Sequence, residues 1–325
     1  MTMASVVRVR TPGGVEHFEV TEIELPPPAA DEIRVRQTAI GVNFVDIYQR
    51  LGLYPMPSAN IPGVEGVGVV AAVGANVTSL AVGERIAYAG APVGAYASER
   101  NLPAWRAVKL PVQLSDAVVA SSFVKGITAH MLLHRVYPVG PRTIVLVHSA
   151  AGGLGQLLTC WAARLGAQVI ATVGSAEKSE IAKNAGAHHV IVGRDADFAR
   201  AVGELTAARG VDIAYDGVGG TTLAKTLACV RPFGVVASIG QSGGAIPPVD
   251  VNDLGPRRSI MLARPSVMAY MNETETYRSA AEAVLAGIES GLLKVSGQAY
   301  PLSEAARAHA DLEAGRTSGS LYLKP

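Results

Sequence analysis

The sequence predicts an α/β protein in which a domain with a doubly wound parallel sheet is inserted into a discontinuous, β-rich domain. Three observations lead to this fold class: short strands between glycine and proline turns in the first third, alternating strands and helices after about Ser121, and a tail of two amphipathic helices and a strand. The predicted domains are 1–122 with 267–325, which is β-rich, and the inserted segment 123–266.

The first third has the pattern of a small antiparallel barrel or sandwich. Its strand candidates share short apolar or alternating stretches: Glu16–Glu24, Glu32–Ala39, Gly66–Val73 and Arg85–Tyr88. Turn residues such as Pro62-Gly63 separate these strands.

The inserted domain alternates strand and helix. The predicted strands are Thr143–His148, Gln168–Val173, His189–Val192, Val211–Tyr215 and Val235–Ile239, and the predicted helices are Leu154–Leu165, Glu177–Asn184 and Phe198–Ala208. Such βαβ units imply a parallel sheet. In the tail, the helices Thr274–Ser290 and Ser303–Glu313 precede the strand Ser320–Lys324, which we expect to return to the first domain.

Composition excludes several classes of function. The 325 residues are 49% hydrophobic and carry a formal net charge of +1, so two buried cores are feasible and nucleic acid is a poor partner. The two cysteines, Cys160 and Cys229, form no CxxC pair, and no secretory signal or long apolar span is apparent. We therefore expect a soluble, cytoplasmic protein with no membrane segment.

The run Ala150-Ala151-Gly152-Gly153-Leu154-Gly155 follows a predicted strand and opens a predicted helix. It fits the dinucleotide fingerprint with alanine in the first glycine position. Gly152 would let the backbone approach a pyrophosphate at the helix N-terminus, and Gly155 would let helix and strand pack closely. The alternative is a tight turn selected for packing alone.

The end of the second predicted strand, Val173-Gly174-Ser175, indicates which nucleotide binds. An NAD site usually has Asp or Glu here to accept hydrogen bonds from the ribose 2′-OH, and this sequence has neither. Ser175 and Lys178 would suit a 2′-phosphate, so NADPH is preferred over NADH. Glu177 is expected to point away, and the alternative for Lys178 is a solvated helix lysine.

The histidines give no metal site. His130 and His134 lie four apart on a predicted helix, but no glutamate follows His130 and no third ligand is apparent nearby. His148, beside the glycine turn, is the only histidine whose position suggests closeness to the cofactor.

Several segments resemble the quinone oxidoreductase (zeta-crystallin) branch of the medium-chain dehydrogenase/reductase superfamily. They are spread along essentially the whole chain: Ala39–Tyr48, Gly52–Pro55, Pro62–Gly66, Lys125–Ala129, His148–Gly155 and Gly315–Ser320. The resemblance implies a GroES-like substrate domain, an inserted Rossmann domain and an active cleft between them. It also implies a zinc-free protein, because Asn43 and Val64 stand where zinc alcohol dehydrogenases have cysteine and histidine.

The same resemblance assigns site residues. It implies that Asn43, Tyr48, Tyr54 and Arg264 line the catalytic end of the cleft and that Asp46 supports that loop. The implied cofactor residues are Asn43, Lys125, Thr128, Ala151, Gly152, Gly153, Leu154, Gly155, Gly174, Ser175, Lys178, Gly217, Val218, Gly240, Gln241, Ser242 and Arg316. At Gly193 the family often has a tyrosine near the 2′-phosphate, and Arg194 is a candidate to replace it.

The resemblance implies an NADPH:quinone oxidoreductase that forms a homodimer through an edge strand around Arg257–Arg264. Side-chain donors in the catalytic set would stabilise charge that develops on the acceptor oxygen. Two alternatives stay open: an NADPH-dependent enone or enoyl reductase of the same superfamily, and a non-enzymatic, crystallin-like or RNA-binding role. The particular quinone, and whether electrons pass singly or as a pair, also stay open.

Overall fold

The structure is a computed structural model that describes residues 2–56, 59–294 and 296–325. Contacts divide the chain into two compact units, Met1–Ile127 with Met268–Pro325 as the first and Thr128–Val267 as the second. The sequence predicts the boundary at 122/123, whereas the first unit of the structure extends to Ile127. Lys125 therefore lies in the first unit and not in the inserted one.

The strands are named in chain order. They are β1 Thr2–Val9, β2 Phe18–Leu25, β3 Glu32–Val42, β4 Glu65–Val73, β5 Arg85–Ala89, β6 Glu99–Pro103, β7 Val108–Lys109, β8 Ile144–Val147, β9 Gln168–Val173, β10 His189–Val192, β11 Val211–Asp216, β12 Val230–Ser238, β13 Met261–Ala263, β14 Gly297–Pro301 and β15 Ser320–Lys324.

The helices are named in the same way. They are α1 Phe44–Arg50, α2 Asp116–His130, α3 Gly153–Arg164, α4 Ala176–Asn184, α5 Phe198–Leu205, α6 Thr222–Leu227, α7 Val251–Leu254, α8 Val267–Tyr270, α9 Thr274–Glu289 and α10 Ala305–Glu313. A π-helical segment, Met131–Val136, continues α2.

The first unit is built on an antiparallel pair, β1 with β2, and on a larger sheet in the order β14-β15-β3-β4-β5-β7, with β6 also paired to β3. The last strand returns as expected, since Leu321 pairs with Val42 of β3 and Leu323 pairs with Ile40. Buried side chains of β3, including Ile40, join one apolar core with those of β4, β5 and β15. Each large apolar side chain so buried stabilises the fold by about 1.5–3 kcal/mol. This core anchors the end of β3, from which the chain enters α1.

The second unit contains a parallel sheet in the order β10-β9-β8-β11-β12-β13. Numbered from its own first strand, β8, this order is 3-2-1-4-5-6, the doubly wound arrangement. The order in which successive strands are added reverses between β8 and β11, while all strands stay parallel. Ligands of such sheets bind outside the carboxyl ends of the strands at this switch point. The predicted architecture, a doubly wound parallel sheet inserted into a discontinuous β-rich unit, is confirmed.

Two details of the helices differ from expectation. The predicted helix Phe198–Ala208 ends at Leu205, because Ala207 and Ala208 adopt left-handed conformations with φ of 49° and 61°. The segment Asp116–Val136 is apolar and long enough, by length and composition, to cross a membrane, although 67% of its most apolar window is buried inside the protein. The core helix of a soluble protein has the same properties, so burial accounts for this composition.

Candidate active site

The glycine turn lies at the switch point of the parallel sheet, between β8 and α3. A Cβ placed on Gly155 would overlap the carbonyl oxygen of Ser149 and lie 2.7 Å from the Cα of Ala150, so only glycine allows this approach of helix and turn. Ser149 itself has a left-handed φ of 54°. The buried Gln156 side chain donates to the carbonyl oxygen of Ala151 at 2.7 Å and holds the turn from within.

The N-terminus of α3 is suited to an anion. Gly152 precedes the helix in an extended conformation, and within the described part of the chain no side chain caps the first turn. The first N–H groups of a helix lack intrahelical acceptors, and the helix dipole adds partial positive charge there. Ala151, Gly153 and Leu154 complete this turn, which therefore offers backbone donors to a phosphate.

The end of β9 carries the residues predicted to recognise the 2′-phosphate. Ser175 precedes α4, and its side chain hydrogen-bonds the carboxylate of Glu177, which lowers the pKa of that acid. The hydroxyl of Ser175 is thus within reach of Glu177, and the orientation of this acid away from a 2′-phosphate stays a prediction. Arg194 also lies at this strand end, since a Cβ on Gly174 would lie 3.5 Å from its Nε. Lys178 follows on the first turn of α4.

The turns after β11 and β12 interlock. Both the backbone N–H and the hydroxyl of Ser242 donate to the carbonyl oxygen of Gly217, at 3.3 and 3.1 Å, and Gly243 N–H donates to Val218 at 2.7 Å. A Cβ on Gly219 would lie 2.8 Å from the Cα of Gln241. These two predicted cofactor segments pack backbone against backbone and leave no room for a side chain at Gly219 or Gly240.

Two further predicted residues belong to the second unit. The exposed Arg264 follows β13, and its Nη1 donates to the hydroxyl of Ser238 at 2.8 Å, at the carboxyl end of β12. Thr128 lies in the last turn of α2, where this unit begins. Arg264 is thus held beside the carboxyl ends of the sheet.

In the first unit, Asn43 is fixed by a buried acid that the sequence analysis did not assign a role. Asn43 lies directly before α1, and its Nδ2 donates to Oε1 of Glu65 at 2.7 Å. The second oxygen of Glu65 accepts from Val124 N–H at 2.8 Å. Lys125 Nζ lies 4.0 Å from Glu65 and donates to the carbonyl oxygen of Val42 at 3.1 Å. The only sequence signal for this role was the position of Glu65 directly after Val64.

Burial dominates the electrostatics of this group. It raises the pKa of Glu65 and lowers the pKa of Lys125, and each partner opposes the shift of the other. Burial also raises the pKa of Asp46 to about 7, against hydrogen bonds from the Asn43 N–H at 2.8 Å and from Tyr96. Asp46 therefore supports the loop that carries Asn43, as predicted.

The two predicted tyrosines are neighbours. The rings of Tyr48 and Tyr54 pack edge to face with centroids 5.3 Å apart. Tyr48 is 6% exposed and Tyr54 is 38% exposed, so the first shapes the interior of the loop and the second faces outward. Arg316, which the resemblance places at the 2′-phosphate, is exposed and pairs through Nε and Nη2 with Asp311 at 2.9 and 2.6 Å.

The position of the family's zinc ligands is occupied by a closed network. Val64 is fully buried, and Asn43 already bonds Glu65. Within residues 2–56, 59–294 and 296–325, no group of three or more His, Cys, Asp or Glu is arranged to hold a metal ion. His130 and His134 instead pack together beside Trp161, and burial lowers the pKa of His130 to about 4.

Comparisons with known proteins agree with these two units. Residues 29–112 match the family described as alcohol dehydrogenase GroES-like domain, and residues 153–286 match the family described as zinc-binding dehydrogenase. The chain is 40% identical to a 2-haloacrylate reductase of a Burkholderia species, over 100% of this chain and 99% of the relative. It is 39% identical to quinone oxidoreductase 1 of Escherichia coli K12, over 99% and 100%.

Solved structures give the same result. The crystal structure of Escherichia coli quinone oxidoreductase complexed with NADPH matches with a TM-score of 0.95 and 38% identity, and covers 99% of this chain and 100% of that one. A GroES-like unit with a Rossmann unit and a glycine turn at its switch point defines an oxidoreductase of the medium-chain dehydrogenase/reductase class. Within that class, the chain belongs to the zinc-free quinone oxidoreductase branch.

Proposed function

We propose that this protein reduces quinones with NADPH. The observation that carries the proposal is the glycine-lined N-terminus of α3 at the switch point, which no described side chain caps. It lies next to the β9 end Val173-Gly174-Ser175, which has no Asp or Glu at the position where an NAD site usually has one. Relatives named as quinone oxidoreductases, one of them crystallised with NADPH, support the assignment of both cofactor and substrate.

The second unit has residues that fit each part of NADPH. Gly152 to Gly155 offer backbone donors for the pyrophosphate. Lys178 and Arg194, beside Gly174, supply positive charge for a 2′-phosphate. The interlocked turns at Gly217 and Gly240 would follow the nicotinamide half. When bound there, NADPH supplies the reducing equivalents.

The first unit would contribute the acceptor side. Hydroxyl donors from Tyr48 and Tyr54 and an amide from Asn43 would stabilise negative charge on the acceptor oxygen and exclude water from it. Glu65 orients the amide of Asn43 by accepting one of its two Nδ2 hydrogens at 2.7 Å, and the second Nδ2 hydrogen would donate to the acceptor oxygen. We also propose that Arg264, held at the carboxyl end of β12, is a cation of the catalytic set.

The test is a steady-state screen of NADPH oxidation across quinones and enones. The proposal predicts turnover with quinones and a clear preference for NADPH over NADH. The second candidate, reduction of activated alkenes, is favoured by the relative named 2-haloacrylate reductase. Turnover of enones or acrylates with none of quinones would select that candidate, and turnover of neither class would contradict both.

We propose that the protein is a homodimer joined at the β13 edge of the parallel sheet. Among the described residues this strand has one sheet partner, β12, and Met261 on it is 53% exposed. Phe233, on β12, is 75% exposed. Exposed apolar side chains at an unpaired strand edge favour association with a second copy. Light scattering should give about twice the 33.6 kDa chain mass, and a monomer at micromolar concentration would contradict this proposal.

We also propose that activity needs no metal and that the protein is cytoplasmic. The support for the first point is that Asn43 and Val64 replace the zinc ligands of related alcohol dehydrogenases and take part in other contacts. Elemental analysis of purified protein tests it. One tightly bound zinc per chain, with activity lost on chelation, would overturn it.

A further inference from the structure

Asp216, at the carboxyl end of β11, is a fully buried acid whose two oxygens have different tasks. Its Oδ1 accepts from the backbone N–H groups of Val218 and Gly219, each at 2.9 Å. Its Oδ2 accepts from the hydroxyl of Thr226 on α6 at 2.8 Å. One carboxylate therefore sets the turn that follows β11 and ties this turn to the next helix.

The hydroxyl of Thr226 extends this contact to His148. Thr226 has one proton, and its hydroxyl also lies 3.1 Å from the Thr222 carbonyl oxygen. The Asp216 carboxylate is nearer and makes a charge-assisted hydrogen bond, so the Thr226 hydroxyl donates to it. His148 Nε2, 3.0 Å from the Thr226 hydroxyl, must then donate to it.

The hydrogen bond at the second ring nitrogen of His148 fixes its tautomer. Burial lowers the pKa of His148, although Asp216 opposes the shift, so the ring is neutral. A neutral ring that donates from Nε2 must accept at Nδ1, and the hydroxyl of Thr172 lies 3.0 Å from that atom. Phe198 packs edge to face on the ring at 4.8 Å and shields it.

We infer that Thr172, His148, Thr226 and Asp216 form one directed chain of hydrogen bonds that positions the Gly217–Gly219 turn. The inference rests on the proposed function, because the purpose of the turn is to hold the nicotinamide half of NADPH. The chain links the carboxyl ends of β9, β8 and β11, which are the strand ends predicted to serve the adenosine phosphate, the pyrophosphate and the nicotinamide. These four side chains act as positioning residues, since they act on the cofactor through the backbone of the turn.

The first test reads the tautomer of His148 in the free protein. ¹⁵N NMR distinguishes the protonated nitrogen of a neutral imidazole from the bare one, and His148→Gln identifies the resonances. The inference predicts a neutral ring protonated at Nε2 at neutral pH. A ring protonated at Nδ1, or one averaging between tautomers, would overturn the chain whatever the enzyme does.

The second test separates positioning from general structure. Thr226→Val removes the hydroxyl, Thr226→Ser keeps it, and Thr159→Val is the matched control. Thr159 is a fully buried threonine on α3 whose hydroxyl has no partner among the residues that the structure describes. Calorimetry then measures the affinity of each variant for NADPH and for 2′,5′-ADP, which lacks the nicotinamide half.

Thr226→Val should bind NADPH roughly tenfold more weakly, because two buried polar groups lose their partner, and should bind 2′,5′-ADP within about twofold of wild type. Thr226→Ser should restore NADPH binding, and Thr159→Val should match wild type. Unchanged NADPH affinity in Thr226→Val, or equal loss of both ligands, would overturn the inference. Wild-type protein that binds neither nucleotide would refute the proposed function, while the tautomer of His148 would still report on the chain.

Discussion

Gly155→Ala is the substitution whose effect the structure defines most closely. The new Cβ would lie 2.7 Å from the Cα of Ala150, which is 0.7 Å inside the 3.4 Å at which ordinary contact begins, and would overlap the carbonyl oxygen of Ser149. Both neighbours are backbone atoms and cannot rotate away, so α3 must shift from the turn. Overpacking of this kind costs about 1–3 kcal/mol, and the better helix propensity of alanine offsets at most about 1 kcal/mol.

Two other glycines provide controls for this variant. Gly152 has φ −76° and ψ 167°, which alanine tolerates, and among described atoms its Cβ would meet only Ser149 O, at 3.3 Å. Gly152→Ala should therefore keep its stability within about 0.5 kcal/mol. Its methyl group would nevertheless occupy the approach of the pyrophosphate, which should weaken NADPH binding by at least about tenfold. Gly203→Ala on α5, with nothing described within 4 Å of its Cβ, should stabilise the helix by about 0.5–1 kcal/mol.

Urea unfolding and calorimetric titration of NADPH measure these effects. Gly155→Ala should lose both stability and affinity, Gly152→Ala affinity alone, and Gly203→Ala neither. A Gly155→Ala protein as stable as wild type would refute the packing argument. Unchanged NADPH affinity in Gly152→Ala would refute the assignment of the turn to the pyrophosphate.

Three further outcomes are expected. Tyr48→Phe and Tyr54→Phe should slow quinone turnover and leave NADPH affinity unchanged. Turnover should fall about 10²-fold if a hydroxyl stabilises the acceptor oxygen, and less than about threefold if the rings only shape the site. Loss of NADPH affinity at unchanged turnover would contradict both explanations. Lys178→Ala should reduce the preference for NADPH over NADH by about 1.5–3 kcal/mol in calorimetric titrations, whereas Lys183→Ala on the same helix should not change it. An unchanged preference in Lys178→Ala would count against a 2′-phosphate site. Burial lowers the pKa of His309 to about 3, so its contribution to stability is present above about pH 6.5 and is lost as pH falls towards 3. Between these pH values the free energy of unfolding of the wild-type protein should rise with pH by up to about 1.4 kcal/mol per pH unit more than that of His309→Gln. Equal pH slopes of the unfolding free energy in both proteins would exclude the buried neutral ring.

Much of the second unit could be predicted from sequence because its strands are apolar and bounded by glycines. β9 and β10 have the predicted bounds to the residue, since each is a short run rich in β-branched residues that ends directly before a glycine, Gly174 or Gly193. β6 was missed because Glu99–Pro103 is largely polar and becomes a strand only through its pairing with β3. Long-range pairing of this kind leaves no local pattern in the strand itself.

The helices around the first unit's site were harder to predict. α1 is seven residues long and begins with Phe44 and Val45, which favour strands, so propensity argues against a helix. Its start is marked by Asn43 and by Asp46 three residues later, a capping pattern that is visible in the sequence but short of decisive. α2 is apolar on most faces, so it lacks the periodicity that reveals a surface helix.

The roles of Glu65 and Asp216 could not be predicted from the sequence, for a different reason. A buried acid is tolerated only when hydrogen bonds or opposite charge satisfy it, and its partners are set by the fold. Asn43 is separated from Glu65 by 22 residues, and Val124 by 59. A sequence motif identifies the backbone that approaches a ligand, because glycines mark it locally. The side chains that hold this backbone in place are distributed over distant strands and helices, so they become identifiable only when each buried donor has been matched to its acceptor.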